Sequence, residues 1–588
     1  MRASPTQALT WPLCLILAAL AGGCASDGGP AGRTGLIEDV RAAAASAPSM
    51  AIGGSAAGNY LAGRQAAKER DFGAASDLLG RALEGTPSDE ELLQRTFLAK
   101  LSEGRIAEST VLARRIVGKD TVAPLASLVL IVEAVKTGDY ETASRELEKF
   151  PDRGFSGFMK PLLSAWVEAG RGRADAAFEA LEPLRRQSGL RVLYELHAAL
   201  IADVVGRTEA AGDHYKRAAE AAPRATLRVV DGLGRHLERA GETAKAKALY
   251  DSYMGENPDS IILEPALARI ASGTRPELLA ANPAEGVSEA LFDIASTMTR
   301  DNSAKVALIY GQLAIHLRPE FDLAQMLVAG ILESMDRYGE AIDIYAALPP
   351  KSPLRFSARL RIAGNLEALK RDADAIVLLR QLSQEDPSRP EAFVSLGDLY
   401  RGNKEFPLAV AAYDRALKVI APIEQRHWTI FYSRGIALER SQQWERAERD
   451  FQRALELNPE QPYVLNYLGY SWVDQGLNLD KARKMIERAV ELRPNDGYIV
   501  DSLGWVLYRL RDFAGAVEKL ERAVELRPQD PTINDHLGDA YWRVGRYSEA
   551  RFQWQRALVL QPEPEMVSAI EAKLQRGLGD TPARGKDS

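Results

Sequence analysis

The sequence predicts an all-α solenoid: a superhelix of about twelve to fourteen stacked helix–turn–helix units of roughly 34 residues each, following a signal segment and a flexible tether. Three observations predict it. Glycines recur at Gly435, Gly469, Gly504 and Gly538, in steps of 34, 35 and 34 residues. Prolines keep the same beat at Pro459, Pro494, Pro528 and Pro562. The chain has 588 residues, more than one compact core normally encloses, so length itself calls for several domains or a repeat array.

The first segment reads as an export signal. Arg2 supplies a positive start and Leu13 to Leu20 a short apolar run, too short to span a bilayer. Leu20-Ala21-Gly22-Gly23-Cys24 follows and resembles a bacterial lipobox, although Ala21 stands where Leu is usual. The resemblance implies cleavage before Cys24 and lipidation of its thiol. Ala25, rather than Asp, then implies delivery to the periplasmic face of the outer membrane. The alternative is an ordinary cleaved signal and a soluble periplasmic protein. Residues 1–23 are thus expected to form the signal peptide. Residues 24–58, rich in Gly, Ala, Ser and Pro, are expected to form a tether.

The solenoid is expected over residues 59–564. Its last unit shows the pattern: Leu537, Gly538 and Tyr541 on a first helix, Ala550, Trp554 and Ala557 on a second, and Pro562 at the close. Small residues are required where two helices approach most closely, large apolar ones fill the space beside them, and proline ends the unit. This period and pattern resemble the tetratricopeptide repeat (TPR). Units are regular over 390–564. The template also fits Gly63 with Ala75 and Leu79, and Gly234 with Ala246 and Tyr250. It is looser around Gly330 and Gly364. Over about 90–190 only the helical period persists, with Gly104, Gly138 and Gly170 as punctuation. The Pro-containing stretch near Thr274 to Gly286 is expected to change the curvature. Residues 565–588 are expected to be a cap helix and a loose tail.

Composition narrows the function. A net charge of −7 argues against a general nucleic-acid binder. The only cysteines are Cys14 and Cys24, so the body can hold neither a disulfide framework nor a thiolate metal site. The six histidines are scattered, there is no phosphate-binding glycine loop and no HExxH or GxSxG, and no stretch outside the array is long enough for a catalytic domain. No enzyme activity, cofactor or metal is expected. Glu445-Arg446 and Glu448-Arg449 read as a solvated charged face.

In an array of this kind the first helix of each unit lines the concave face. Position two of the last three units is Tyr463, Tyr498 and Thr532; position five is Asn466, Asp501 and Asp535; position nine is Tyr470, Trp505 and Asp539; position twelve is Val473, Tyr508 and Trp542. The expected protein-binding groove is therefore Tyr463, Asn466, Tyr470, Tyr498, Asp501, Trp505, Tyr508, Asp535, Asp539 and Trp542, with the competing reading that individual rings pack between units. The acids oppose the chemistry of a carboxylate clamp, which needs Lys and Asn.

The block from Leu465 to Asp474, the helix from Leu479 to Arg493 and the stretch Asp501-Ser502-Leu503-Gly504-Trp505-Val506-Leu507-Tyr508-Arg509 resemble a family of long proteobacterial TPR lipoproteins. The resemblance implies an envelope adaptor that binds a periplasmic carboxyl-terminal processing protease and brings it substrates. The competing class is an assembly factor for a pilus, an outer-membrane protein or polysaccharide export. Neither class implies a cofactor.

Overall fold

The computed structural model describes residues 55–579, apart from residues 70, 119–122, 153–155, 188, 222–223, 225, 258–259, 261 and 299–302. The expected signal peptide, the lipidation site Cys24, the tether up to residue 54 and the tail from 580 lie outside the described residues. Among the described residues there are thirty α-helices and no strand. Twenty-eight of them form fourteen antiparallel pairs between Ala56–Lys68 and Tyr547–Val559, the upper end of the expected number. A short helix, Glu264–Ser272, interrupts the series, and Pro564–Arg576 closes it. The fold is a TPR solenoid.

Within a pair, the expected close approach is present. A Cβ on Gly504 would lie 2.5 Å from Leu520, one on Gly538 2.5 Å from Trp554, and one on Gly435 2.6 Å from Phe451. In each case the large residue comes sixteen positions after the glycine, on the facing helix. The second helix is amphipathic and buries a single stripe; Leu479–Leu492 buries Ala482, Ile486 and Ala489.

Two expectations about glycines need correction. Gly330 and Gly364 face open space, and the packed small residues there are the adjoining Ala329 and Ala363. Gly170 is not a turn: it packs on the Tyr140 ring, and the turn is made by Gly172 at φ +73°. That turn belongs to a second periodicity. Left-handed residues separate the paired helices at Gly104, Gly138, Gly172, Gly206 and Gly241, then at Asp336, Lys370, Lys404, Gln442, Gly476, Arg511 and Gly545. The region 90–190 is therefore regular in its turns, although its packing residues depart from the template. Reversal within a few residues requires the left-handed backbone, which glycine adopts without a Cβ penalty.

The stretch near Thr274 leads into the pair Pro283–Met298 and Ala304–Leu317, which is more than a change of curvature. This pair is a wedge. It packs against the first helices of four earlier units: Glu90–Ser102, Pro124–Lys136, Ser156–Gly170 and Arg191–Val204. Trp166 lies over Gly286. Its indole Nε1 donates to His197 Nδ1 at 3.0 Å, which leaves His197 Nε2 to donate to Asp293 Oδ2 at 3.2 Å. Arg228 grips Glu289 with two nitrogens, and Arg318 approaches the same carboxylate at 3.2 Å. His316 meets Glu133 at 3.0 Å. One unit later, Arg337 bonds Glu103 and Glu340, with its guanidinium 4.5 Å from the Phe72 ring centre.

The burial pattern follows. All nine residues from Tyr194 to Ala202 are buried, as are all eight from Ala307 to Ala314. A helix covered on one side cannot show that pattern; apolarity all round means cover all round.

Candidate protein-binding surface

The wedge removes the inner face of the first half as a free groove, so the open first helices are those of the C-terminal units. Four of them hold the expected residues and the neighbour upstream: Trp428–Arg440, Pro462–Gln475, Gly497–Arg509 and Pro531–Arg543. Each begins beside a turn that follows the preceding unit. Pro at the first position suits Pro462 and Pro531, and Asp496 and Asp530 accept from the free backbone N–H groups at their helix starts.

The ten expected residues do not form one uniform groove. At position five, Asp501 accepts from His536 Nδ1 at 3.0 Å, and Asp535 accepts from Lys573 of the closing helix at 2.8 Å. At position nine, Asp539 accepts from Lys573 at 2.9 Å and from the Trp554 indole at 2.9 Å. These acids are buried and already partnered, so they are structural rather than free acceptors. Asp539 is nevertheless pushed up, by burial first and then by the Asp535 carboxylate. Burial opposes the charge on His536, yet its value is raised because Asp501, Asp535 and Asp539 surround it.

The rings at positions nine and twelve are half-covered. Trp505 stacks on His536 with centroids 4.1 Å apart and on Tyr508 at 4.9 Å. Arg543 donates to the Tyr508 hydroxyl at 3.3 Å. Trp542 is crossed by Tyr547 at 4.6 Å, and Gly577 lies against its ring. Burial pushes Tyr470 up to about 12. Val473 is fully buried. Asn466 has a buried amide oxygen with no hydrogen-bond partner among the described residues. The competing reading of rings between units therefore describes Trp505 and Tyr508, which meet His536 and Arg543 of the next unit, whereas Trp542 packs on Tyr547 and Trp554 of its own unit. The supposed solvated face also holds a contact between units, because Glu448 accepts from the Trp472 indole at 2.8 Å.

Position two behaves differently. Tyr463 is 41% exposed and Tyr498 52% exposed. Each carries a guanidinium from the turn that ends its unit: Arg493 lies 5.8 Å from the Tyr463 centroid and Arg527 5.0 Å from that of Tyr498. The same position one unit upstream is the exposed Thr429; Trp428, one residue earlier at the first position of its helix, lines a surface pocket of about 440 Å³ with Glu424, Gln425, Arg426 and Asn458. Asn458 there stands where Arg493 and Arg527 stand later. Extending the positional count by one unit gives Thr429, so the count passes over Trp428. Arg493 and Arg527 were missed because a residue before a proline reads as mere punctuation.

Comparison with known proteins agrees with this architecture. The Tetratricopeptide repeat family model matches residues 360–422, 432–497 and 502–566, so the C-terminal units are tetratricopeptide repeats. No curated protein matches the chain. Among solved structures, the APC/C hetero-tetramer Cut9–Hcn1 is similar at 15% identity, over 93% of this chain and 99% of that one, with a TM-score of 0.37. A tetratricopeptide repeat protein from Parabacteroides merdae matches at 14% identity over 49% of this chain and 99% of its own, with a TM-score of 0.32. The pilF of Pseudomonas aeruginosa matches at 19% identity over 37% and 97%, also at 0.32.

Proposed function

We propose that this tetratricopeptide solenoid is a non-catalytic scaffold whose partners dock on its C-terminal units. The observation that carries this reading is the wedge. The chain's own helices Pro283–Met298 and Ala304–Leu317 cover the inner face of the first half, whereas Tyr463 and Tyr498 remain exposed on the last units. Exposed aromatic rings on rigid helices present apolar area at small entropic cost, and such residues often dominate binding.

The finer proposal is an adaptor anchored through lipid on Cys24 to the periplasmic face of the outer membrane. There it holds a periplasmic carboxyl-terminal processing protease close to its substrates, as the lipoprotein LbcA does for its protease. The lipobox-like segment and the resemblance around Asp501 to Arg509 support it. Tethering would act by raising effective concentration.

Two measurements test the proposal. Cys24→Ala should shift the protein from the outer-membrane fraction to the soluble fraction; a variant that stays with the membrane refutes the anchor. The purified processing protease should bind the full chain, and Tyr463→Ala with Tyr498→Ala should weaken that binding at least tenfold with the helical signal unchanged. Undiminished binding by the folded double variant would place the contact elsewhere.

A further inference from the structure

We propose that the edge formed by Tyr463 and Tyr498 with Arg493 and Arg527 binds an extended acidic peptide, one carboxylate to each guanidinium. This inference rests on the reading of the C-terminal units as the docking surface and specifies the chemistry of what docks.

Charge complementarity is the first argument. The other ions of this edge are already used. Arg488 bonds Glu460 and Glu491, and Arg522 bonds Glu525 and Asn495. Asp496 and Asp530 cap helix starts. The guanidinium groups of Arg493 and Arg527 form no ion pair or hydrogen bond among the described residues, and both residues are exposed. Each is held over a tyrosine ring instead. Gly497 helps to set this geometry, because its missing side chain leaves room for the Arg527 stem, and a Cβ there would sit 2.5 Å from Arg527 Cγ. The two cations left without a counter-charge are thus the two placed on exposed rings. A guanidinium stacked on a ring keeps its N–H fork free for a carboxylate.

Spacing is the second argument. Tyr463 and Tyr498 are 35 residues apart and hold the same position in adjacent units, as two successive rungs. The first helices of adjacent units pack directly on one another, as Pro462–Gln475 does on Gly497–Arg509. Packed helices lie about 8–10 Å apart. A peptide in the polyproline II conformation has three residues per turn and rises about 3.1 Å per residue, so every third side chain returns to the same face about 9 Å further on and meets the next rung. The ligand is therefore an extended polyproline II strand with Asp or Glu at every third position. Upstream, the pocket at Trp428 replaces the arginine with Asn458 and accepts a neutral polar side chain.

The probe is a fluorescein-labelled twelve-residue peptide with Glu at every third position, titrated against the full chain by anisotropy. Controls are a peptide of the same composition with its four Glu consecutive and an anionic oligosaccharide of equal charge. The spaced peptide is expected to bind at least fivefold more tightly than the clustered one. Arg493→Ala with Arg527→Ala should weaken it tenfold or more, and Arg→Lys at both should give an intermediate value. The helical signal should stay constant, because both side chains are exposed. Equal binding of the two peptides, an undiminished affinity in the double alanine variant, or tighter capture of the oligosaccharide would each overturn the proposal. Failure here is distinct from failure of the docking surface: loss of protease binding in the tyrosine variant, without peptide binding, would keep the surface and reject its acidic ligand.

Discussion

The Trp166 indole lies directly over Gly286, so that a single added methyl group at residue 286 would overlap the ring. This contact joins the wedge to the first half of the solenoid. The adjoining His197–Asp293 bond makes the same junction polar and directional. Trp166 and His197 are fully buried, so the junction cannot relax by turning a side chain into water.

Gly286→Ala should therefore destabilise the first half by about 1–3 kcal/mol, the usual cost of overpacking. Gly330→Ala is the matched comparison. Gly330 lies within a helix with open space around its Cβ position, so alanine there should stabilise by about 0.5–1 kcal/mol. Denaturant titrations of both variants read the two signs. Equal effects would contradict the wedge contact.

Lys573 forms ion pairs with both Asp535 and Asp539. Lys573→Met removes that cation and leaves two buried acids unpaired, at a cost of about 3 kcal/mol. Amide exchange should accelerate over Pro531–Arg576 and remain unchanged in the first half, because repeat arrays couple mainly to their neighbours. Adding Asp535→Asn and Asp539→Asn should recover part of the loss. Asparagine at 539 keeps an oxygen to accept from the Trp554 indole.

The same cluster gives the C-terminal units a pH dependence. The folded value of His536 is raised, so its stabilising contribution is complete below about 6.5, its ordinary value, and is lost as pH rises through the folded value. The folded value of Asp539 is also raised, through burial and then Asp535, so stability grows as pH falls from that value towards the ordinary carboxylate range. Both terms have the same sign. Protection factors over Gly497–Arg576, which divide out the intrinsic pH dependence of amide exchange, should be higher at pH 6 than at pH 8.5, and His536→Gln should remove the upper part of that difference. A flat profile in the unmodified protein would contradict the assigned shifts.

The turn residues supply a fourth test. Lys404 holds φ +61° at the position that Gly138 holds at +74°. Lys404→Gly should stabilise by about 0.5–1 kcal/mol and Gly138→Lys should destabilise by about 1–2 kcal/mol, since a side chain is strained in the left-handed region. Thermal melts of the exchanged pair check both directions.

The sequence by itself determined the architecture and the unit length. Gly504 against Leu520 and Gly538 against Trp554 are contacts between nearby residues, repeated every 34 or 35 positions, and repetition makes them legible. It also placed Tyr463 and Tyr498 at position two of the expected groove. The rest depended on contacts that have no period. His316 meets Glu133 across 183 residues and Arg337 meets Glu103 across 234, and no local pattern announces such partners. The apolar run Leu125 to Val135 was their one sequence signal, a helix too apolar for a single buried face. Likewise Asp501, Asp535 and Asp539 carry the same letters whether they face a ligand or a lysine. Only the tertiary structure, by bringing Lys573 and His536 beside them, decided that these acids are structural, while Tyr463 and Tyr498 stay exposed. The physical reason is that backbone propensity and amphipathic period are local properties, whereas the cover over a buried charge is set by chain segments brought together in folding.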